Sequence, residues 1–248
     1  MRMTSFCALN GLAVATALAA APASAQEAES AFTVSGGATL VSDYRFRGIS
    51  QTDKRFAVQG TFTVAHASGF YGTVWGSSID DYVYNGADQE IDFIVGYRRT
   101  FGDTTVDAGV LYYYYPGSGG IDSDFFEPFV SVSQAFGPVT AKVTANYAPE
   151  QNALAIGAGK EDNLYLAGDL SAAIPETPVT LSAHLGHSFG PSYLTIGDEY
   201  TDWGLGASVA WKKLTFGVTY VDTDGDFITP SGRNASKAGL VGSVGVSF

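Results

Sequence analysis

The sequence predicts an all-β protein, a transmembrane antiparallel β-barrel of about twelve strands preceded by a cleaved signal peptide. Three observations support this fold class. Polar and apolar side chains alternate over long segments, short turns and long polar loops alternate between those segments, and the chain begins with an apolar export signal. The prediction divides the chain into a signal peptide, residues 1–25, and one barrel domain, residues 26–248.

The first 25 residues have the three parts of a secretory signal peptide. Arg2 provides the positive start, residues 6–20 form an apolar run, and residues 23–25 (ASA) form a small-residue cleavage site. Cys7, the only cysteine, is removed with the signal. We therefore expect the exported chain to contain no disulfide bond and no thiol nucleophile.

The charge of the exported chain excludes some classes of partner. Removal of Arg2 leaves 12 basic and 25 acidic side chains, a formal charge of −13. An acidic exported protein is a poor partner for nucleic acids. After residue 25 the chain has no apolar run of about 18 residues, which excludes transmembrane helices. The 30 glycines, 14 tyrosines and 16 phenylalanines are typical of an aromatic-rich β-protein.

The first element of the barrel domain has two unlike faces. Apolar or small side chains occupy most even positions from 32 to 46, and mainly polar ones occupy the odd positions from 33 to 47. This period of two predicts one long strand that includes Arg45 and Arg47. In a barrel, its odd face points into the lumen and its even face into lipid.

The same alternation recurs along the rest of the chain. It predicts strands over 56–66, 70–79, 89–99, 104–114, 125–136, 139–147, 163–171, 179–189, 201–211 and 214–221, and a last one ending at Phe248. Short turns are predicted near 67–69, 100–103, 137–138, 174–178 and 212–213. Longer loops are predicted near 48–55, 80–88, 116–124, 148–161, 190–200 and 222–236. This layout is typical of a bacterial outer-membrane barrel with its short turns on the periplasmic side. A soluble β-sandwich is the alternative, but it would not need such long strands.

Charged side chains fall at two depths on the inward-facing positions. A group near the extracellular mouth contains Asp43, Arg45, Arg47, Glu90, Asp92 and Glu127. A deeper group contains Asp107, Lys142, Asp169 and His184. A lumen filled with water tolerates such charges, whereas an arginine facing lipid at mid-bilayer costs roughly 2–4 kcal/mol. We expect these residues to line the pore. They either form an ion-pair network that fixes the barrel's shape or a constriction that selects solutes by charge.

A run of four tyrosines ends the strand predicted over 104–114. Tyr112 and Tyr114 have the lipid-facing parity, at the interface where amphipathic rings are common. Tyr113 and Tyr115 have the opposite parity and face the lumen or its mouth. There they could stack on a solute such as a sugar.

Three stretches resemble a known family. They are "SDYRFRGISQT" (42–52), "GFYGTVWGSSIDD" (69–81) and "EIDFIVGYRRTFGDTTVDAGVLYYYYPG" (90–117). The chain is similar here to the TorF-type porins of proteobacterial outer membranes, most clearly over 40–117. The resemblance implies a small outer-membrane barrel with a role in transport.

Enzyme motifs in the chain lack the context that catalysis needs. The "GHSFG" stretch around Ser188 matches a nucleophile elbow, but a polar loop follows it and not a helix. A barrel phospholipase would need His and Ser on the lipid-facing side in the outer leaflet, and His66 and Ser68 fall at the periplasmic turn instead. A barrel protease would need His beside Asp80 and Asp81, and none is near. "DTDGD" (222–226) lacks the glycine and the last acid of a calcium loop. We predict no enzyme activity, no metal site and no cofactor.

The sequence thus predicts an outer-membrane channel for passive diffusion of small hydrophilic solutes, with a mixed-charge ring near its mouth. The alternatives are a closed structural or surface-interaction barrel and, more remotely, an outer-membrane hydrolase. The expected partners are outer-membrane lipids, lipopolysaccharide and the barrel-assembly machinery, which would engage the C-terminal strand ending at Phe248.

Overall fold

The computed structural model describes residues 31–120, 122–157 and 159–248. The predicted signal peptide, 1–25, lies outside the described residues. Twelve strands form one closed barrel, which confirms the predicted fold class. They are β1 Phe32–Val41, β2 Ala57–His66, β3 Phe70–Ser78, β4 Gln89–Phe101, β5 Thr104–Tyr114, β6 Phe125–Phe136, β7 Val139–Ile156, β8 Gly159–Ala173, β9 Val179–Phe189, β10 Tyr200–Trp211, β11 Leu214–Thr223 and β12 Gly239–Ser247.

Each strand pairs antiparallel with its neighbours in sequence, and β1 pairs with β12 to close the sheet. At this seam, residues 37–41 lie opposite residues 243–247. The backbones of Gly36 and Phe248 exchange two further hydrogen bonds, of 3.1 and 3.0 Å. Closure leaves no unpaired sheet edge, which is the condition for a sheet that crosses hydrocarbon.

The outer surface of the barrel is apolar, as lipid contact requires. Side chains such as Val58, Val95 and Leu205 are about two-thirds exposed because nothing in the chain covers them. Val58 and Val95 occupy apolar positions of the predicted alternation, which is the lipid face of a barrel strand. In the described part of the chain, no helix is both long and apolar enough to cross a membrane.

The interior is divided into a filled half and an open half. Next to the long loops, Glu127, Asn146 and Asn163 are fully buried. Toward the short turns, the inward-facing side chains of Arg98 and Asp169 are 20% and 38% exposed. A segment that enters the barrel from the long-loop end accounts for much of this difference.

That segment follows β1, which is shorter than the alternation predicts. β1 ends at Val41, and the chain then folds into the lumen and forms a two-stranded hairpin of Arg45–Phe46 and Ile49–Ser50, here called the inner hairpin. The prediction of one strand through Arg47 is therefore wrong. Arg47 and Gly48 have φ of 46° and 82°, the left-handed values of a two-residue hairpin turn.

The predicted loop 148–161 is also largely strand. β7 continues to Ile156 and β8 begins at Gly159, so these two strands form a hairpin that is longer than the others. The pairing is irregular, with register shifts on either side of Glu161. Such irregularities break the period of two, and this is why the alternation did not predict these residues as strand.

Candidate functional site

The base of the inner hairpin is held by its own polar side chains. Arg45 Nε donates to Asp43 Oδ2 over 2.6 Å, and Arg45 Nη1 donates to the carbonyls of Gly48 and Ala235, both over 2.9 Å. Asp43 Oδ1 also accepts from Ser50 Oγ over 2.6 Å. Arg45 is thus a structural residue of the hairpin, and its buried charge is paired as burial requires.

The tip of the inner hairpin lies in the lumen and contacts several wall strands. On one side, a Cβ atom added to Gly48 would lie 2.8 Å from Asp202 Cβ on β10 and 3.2 Å from Thr223 Cβ on β11. From the other side of the tip, the side chain of Arg47 extends to β6 and β8. With Tyr44 bonded to Glu90 on β4, the segment contacts strands around much of the barrel, and it narrows the outer half of the lumen.

Arg47 makes three contacts with the wall. Its Nη2 donates to Glu127 Oε1 over 2.5 Å, and its Nη1 donates to Asn163 Oδ1 over 2.8 Å. Its guanidinium carbon lies 4.2 Å from the centre of the Tyr165 ring, a cation–π distance. The Arg47 and Glu127 side chains are 1% and 0% exposed, so this ion pair is buried.

The wall groups that receive Arg47 are themselves held by their neighbours. Glu127 Oε2 accepts from Tyr113 Oη over 3.1 Å and from Asn146 Nδ2 over 3.0 Å. Asn163 Nδ2 donates to Ser188 Oγ over 3.1 Å and to a backbone carbonyl at the end of β9 over 3.0 Å. These bonds lie within the wall and do not involve the inner hairpin.

Two further carboxyl groups lie on β4, on the inward face of the outer half. Glu90 accepts a hydrogen bond of 3.1 Å from Tyr44 Oη. Asp92 is buried, and its Oδ1 has no hydrogen-bond partner among the described residues. Asp92 lies within electrostatic reach of Glu90 and Glu127. The outer half of the lumen therefore holds these two carboxyl groups in addition to the buried pairs of Arg45 with Asp43 and of Arg47 with Glu127.

The deeper predicted residues also lie on the inner wall. Arg98 donates two hydrogen bonds to Asp107 Oδ2, of 2.9 and 2.5 Å. His184 Nδ1 lies 2.7 Å from Asp169 Oδ1, and Lys142 lies opposite Asp169 in the pairing of β7 with β8. All ten charged residues predicted to line the pore therefore lie inside the barrel: seven on wall strands, two on the inner hairpin, and Asp43 at the base of that hairpin. Whether they select solutes stays a prediction.

Several residues of this site were not predicted. Asn163, Tyr165, Asn146 and Asp202 have inward-facing positions on their strands and contact the predicted residues. The signal that could have found them is the same alternation that placed Asp169 inside. Asn163, Tyr165 and Asn146 were missed because only charged side chains were considered as pore-lining candidates. Asp202 was missed because its strand alternates only weakly.

The two tyrosines predicted to stack on a solute are covered by the chain's own rings. Tyr113 stacks on Phe125 with ring centres 4.3 Å apart, and Tyr115 lies 4.2 Å from Tyr84. Both are buried, at 1% and 5% exposure. Solute stacking stays a prediction, and it requires these ring contacts to separate.

The geometry around Ser188 is not that of a nucleophile elbow. Ser188 lies near the end of β9, is fully buried, and bonds to Asn163. His66 Nδ1 lies 2.7 Å from Ser68 Oγ, but this pair forms part of the short turn between β2 and β3, at the other end of the barrel.

At the mouth, loop 42–56 is tied to loop 224–238 by a group that we call the mouth clasp: Asp53, Thr229, Ser231 and Arg233. Asp53 accepts from Thr229 Oγ1 and Ser231 Oγ, both over 2.8 Å, and from Arg233 Nη1 over 2.9 Å. Burial disfavours the carboxylate, but the hydroxyl donors and the Arg233 charge outweigh it and lower the pKa of Asp53.

A family model matches residues 25–248, which include the whole predicted barrel domain. The chain belongs to the Gcw_chp family, described as bacterial proteins of unknown function. Among the curated proteins, no sequence matches it. This family assignment leaves the TorF-type resemblance as an expectation.

Solved structures support the fold of this Gcw_chp member. The NanC porin superposes with a TM-score of 0.58 at 14% identity, covering 87% of this chain and 99% of that one. The KdgM porin superposes with a TM-score of 0.55 at 10% identity, covering 87% and 98%. A second KdgM structure, in complex with disordered oligogalacturonate, gives 0.56 at 10% identity over the same shares. At these identities the likeness shows the barrel architecture alone.

Proposed function

We propose that this Gcw_chp member is an outer-membrane channel for passive diffusion of small hydrophilic solutes, whose outer half is narrowed by the inner hairpin. One observation carries the proposal: a closed barrel with an apolar outer surface encloses a wall of charged and hydrogen-bonding side chains. An ion-pair network that fixes the barrel's shape would also use inward charges, but the half of the lumen toward the short turns is open, as a channel requires. The porin architecture of the NanC and KdgM neighbours supports the same function.

The proposal also includes the export of the chain, its assembly into the outer membrane, and its partners in that membrane. The chain would be exported by its signal peptide and assembled by the barrel-assembly machinery through the C-terminal strand ending at Phe248. Its apolar surface would contact outer-membrane lipids, and its long loops would contact lipopolysaccharide. The resemblance to the TorF-type porins agrees with this. We assign no catalytic activity and no cofactor.

Within the channel, the charged side chains would set which solutes pass. The charged side chains of the outer half are Asp43, Arg45, Arg47, Glu90, Asp92 and Glu127, and the deeper ones include Arg98 and Lys142. Because carboxyl groups are in excess in the outer half, we expect the open channel to prefer cations over anions.

A second candidate function is a closed structural or surface-interaction barrel. The observation that favours it is the tight packing of the outer half, where Glu127, Asn163 and Ser188 are fully buried. The two functions differ in whether solute ever crosses the level of Arg47.

Liposome swelling separates the two functions. The folded protein is inserted into vesicles, and swelling is followed with neutral sugars of graded size, for the natural chain and for a variant in which a Gly-Ser linker replaces residues 44–51. We expect slow swelling with the natural chain and faster swelling with the variant, because the linker removes the obstruction. If neither admits the smallest sugar while both remain folded barrels, the channel function is wrong and the closed barrel stands.

A further inference from the structure

We infer that the wall opposite the inner hairpin is a binding site for solutes with a guanidinium group, and that Arg47 occupies it here as a tethered stand-in. The inference rests on the proposed function, since such a solute must enter the lumen. The site consists of Glu127 on β6 and of Asn163 and Tyr165 on β8, and Asp92 on β4 lies within electrostatic reach of Glu127.

The first argument is that the acceptors are placed without help from Arg47. Glu127 is oriented by Tyr113 and Asn146, and Asn163 is oriented by Ser188 and by the backbone at the end of β9. When Arg47 leaves, these wall-to-wall bonds remain. A site held in this way binds a ligand at a lower entropic cost than one that must first be assembled.

The second argument is chemical fit. A guanidinium group is planar, donates in a fixed fork, and stacks on aromatic faces. The wall offers a carboxylate oxygen, an amide oxygen and a ring face, at 2.5, 2.8 and 4.2 Å from the group that now occupies the site. An ammonium group lacks the flat face that lies on Tyr165, so we expect guanidinium to bind more tightly than ammonium.

The third argument is that polar atoms of Arg47 and of the wall remain without hydrogen-bond partners. Its Nε is buried and has no hydrogen-bond partner among the described residues. Asp92 Oδ1 is likewise buried and without a partner there, and neither Asp92 nor Glu90 forms an ion pair with a described residue. A buried polar atom without a hydrogen-bond partner costs free energy. A free cation that also bonds to Asp92 would remove this cost, which the Arg47 side chain does not.

The outer loops favour the arrival of such a solute. Exposed carboxylates surround the entrance, among them Asp81, Asp122, Glu150, Asp198 and Glu199. Exposed basic side chains lie there too, among them Arg55, Lys160 and Arg233, but carboxylates outnumber them. An excess of negative charge at the rim raises the local concentration of cations. Arg47 would then act as a competitor, because a guanidinium solute binds this site only by displacing it.

Ethylguanidinium, the end of an arginine side chain, is the probe, and ethylurea is its neutral isostere. Binding is measured by calorimetry on the folded protein, and block of ionic current is measured in planar bilayers. In the Arg47→Ala variant the site is vacant, so we expect saturable binding of ethylguanidinium and none of ethylurea. In the natural chain we expect the half-saturating concentration to rise at least tenfold, because Arg47 competes at high effective concentration.

Two further variants test the assignment of the site. Adding Glu127→Gln to Arg47→Ala removes the charged acceptor and should weaken ethylguanidinium binding at least tenfold. Arg233→Ala removes an arginine of the mouth clasp and should leave binding as in the natural chain. Where Arg47→Ala does not fold, Arg47→Gln replaces it, since a shorter neutral side chain also vacates Glu127.

The outcomes separate this inference from the proposed function. Binding without ionic current in any variant supports the site and overturns the channel. Current without a difference between ethylguanidinium and ethylurea, or an unchanged affinity when Glu127→Gln is added, overturns the site and leaves the channel standing.

Discussion

At the scale of single residues, the pair of Arg47 and Glu127 shows how a buried charge depends on its partner. Both side chains lie out of water, 1% and 0% exposed. Removing one member leaves the other charged and without compensation, which typically costs 3–5 kcal/mol. Removing both charges avoids that penalty, because moving a neutral group out of water costs less free energy than moving a charged one.

We therefore predict that Arg47→Ala lowers the free energy of unfolding by about 3 kcal/mol and that adding Glu127→Gln restores part of the loss. The measurement is urea unfolding in phospholipid vesicles, followed by tryptophan fluorescence. A double variant less stable than Arg47→Ala alone would mean that the charge of Glu127 is compensated by another group.

Asp53 gives a prediction that depends on pH. Its folded-state pKa is lower than in the unfolded chain, so the ionised form stabilises the mouth clasp above the ordinary Asp value of about 3.9. That stability is lost as pH falls through the lower folded-state pKa. We expect protease cleavage in loop 224–238 to stay slow from pH 8 to about pH 4 and to rise below it.

Asp53→Asn should release the same loop at neutral pH, because the amide no longer holds the charge of Arg233. The measurement is the rate of cleavage in loop 224–238 by a protease active across this range. Equal rates for Asp53→Asn and the natural chain at pH 7 would show that the mouth clasp does not hold the loop.

At the scale of elements, the inner hairpin depends on the turn formed by Arg47 and Gly48. Gly48 has φ of 82°, which L-residues rarely adopt, and its Cα hydrogen faces Asp202 and Thr223 at close range. A methyl group at position 48 would cost free energy in two ways: through the left-handed backbone conformation and through the close contacts with Asp202 and Thr223. Gly117 has φ of 85° with nothing within 4 Å of the added Cβ, so it isolates the first of these costs.

We predict that Gly48→Ala displaces the tip of the inner hairpin and raises single-channel conductance, while Gly117→Ala costs about 1 kcal/mol of stability and leaves conductance unchanged. Planar-bilayer recording and urea unfolding measure the two effects. Equal conductance for both variants would argue against a tip wedged between β10 and β11.

Elements also show where alternation succeeds. It placed strands from β2 to β6 and from β9 to β12 within a few residues, because each of them has one face in lipid and one in the lumen. The alternation does not hold beyond the membrane, where both faces meet water. The extension of β7 and β8 to Ile156 and Gly159 belongs to a long-loop region, and register shifts interrupt its alternation, so its pairing was not predicted.

At the scale of the whole molecule, the lumen is filled with side chains at the long-loop end and open toward the short turns. Ser182 and Ser188 both lie on the inner face of β9, about 20 Å apart along the strand. Ser182 is exposed and Ser188 is fully buried. The chain's single cysteine is Cys7, in the predicted signal peptide, so an introduced cysteine reports on its own position.

We predict that a charged methanethiosulfonate reagent modifies Ser182→Cys at least tenfold faster than Ser188→Cys, as measured by mass shift. Replacing residues 44–51 with a Gly-Ser linker should speed the modification of Ser188→Cys and leave that of Ser182→Cys unchanged. Equal rates in the natural background would contradict a filled outer half.

Sequence alone was enough for the barrel, its strand number and the inward position of its charges, because a strand in a membrane has only two faces and each demands one kind of side chain. The inner hairpin and the contacts of Arg47 with β6 and β8 depend on the folded chain. Alternation assigns a side chain to a face, but not to a depth or a partner. The polar pattern of residues 42–52 fits a strand end and an inward hairpin equally well, and only closure of the barrel around that segment decides between them.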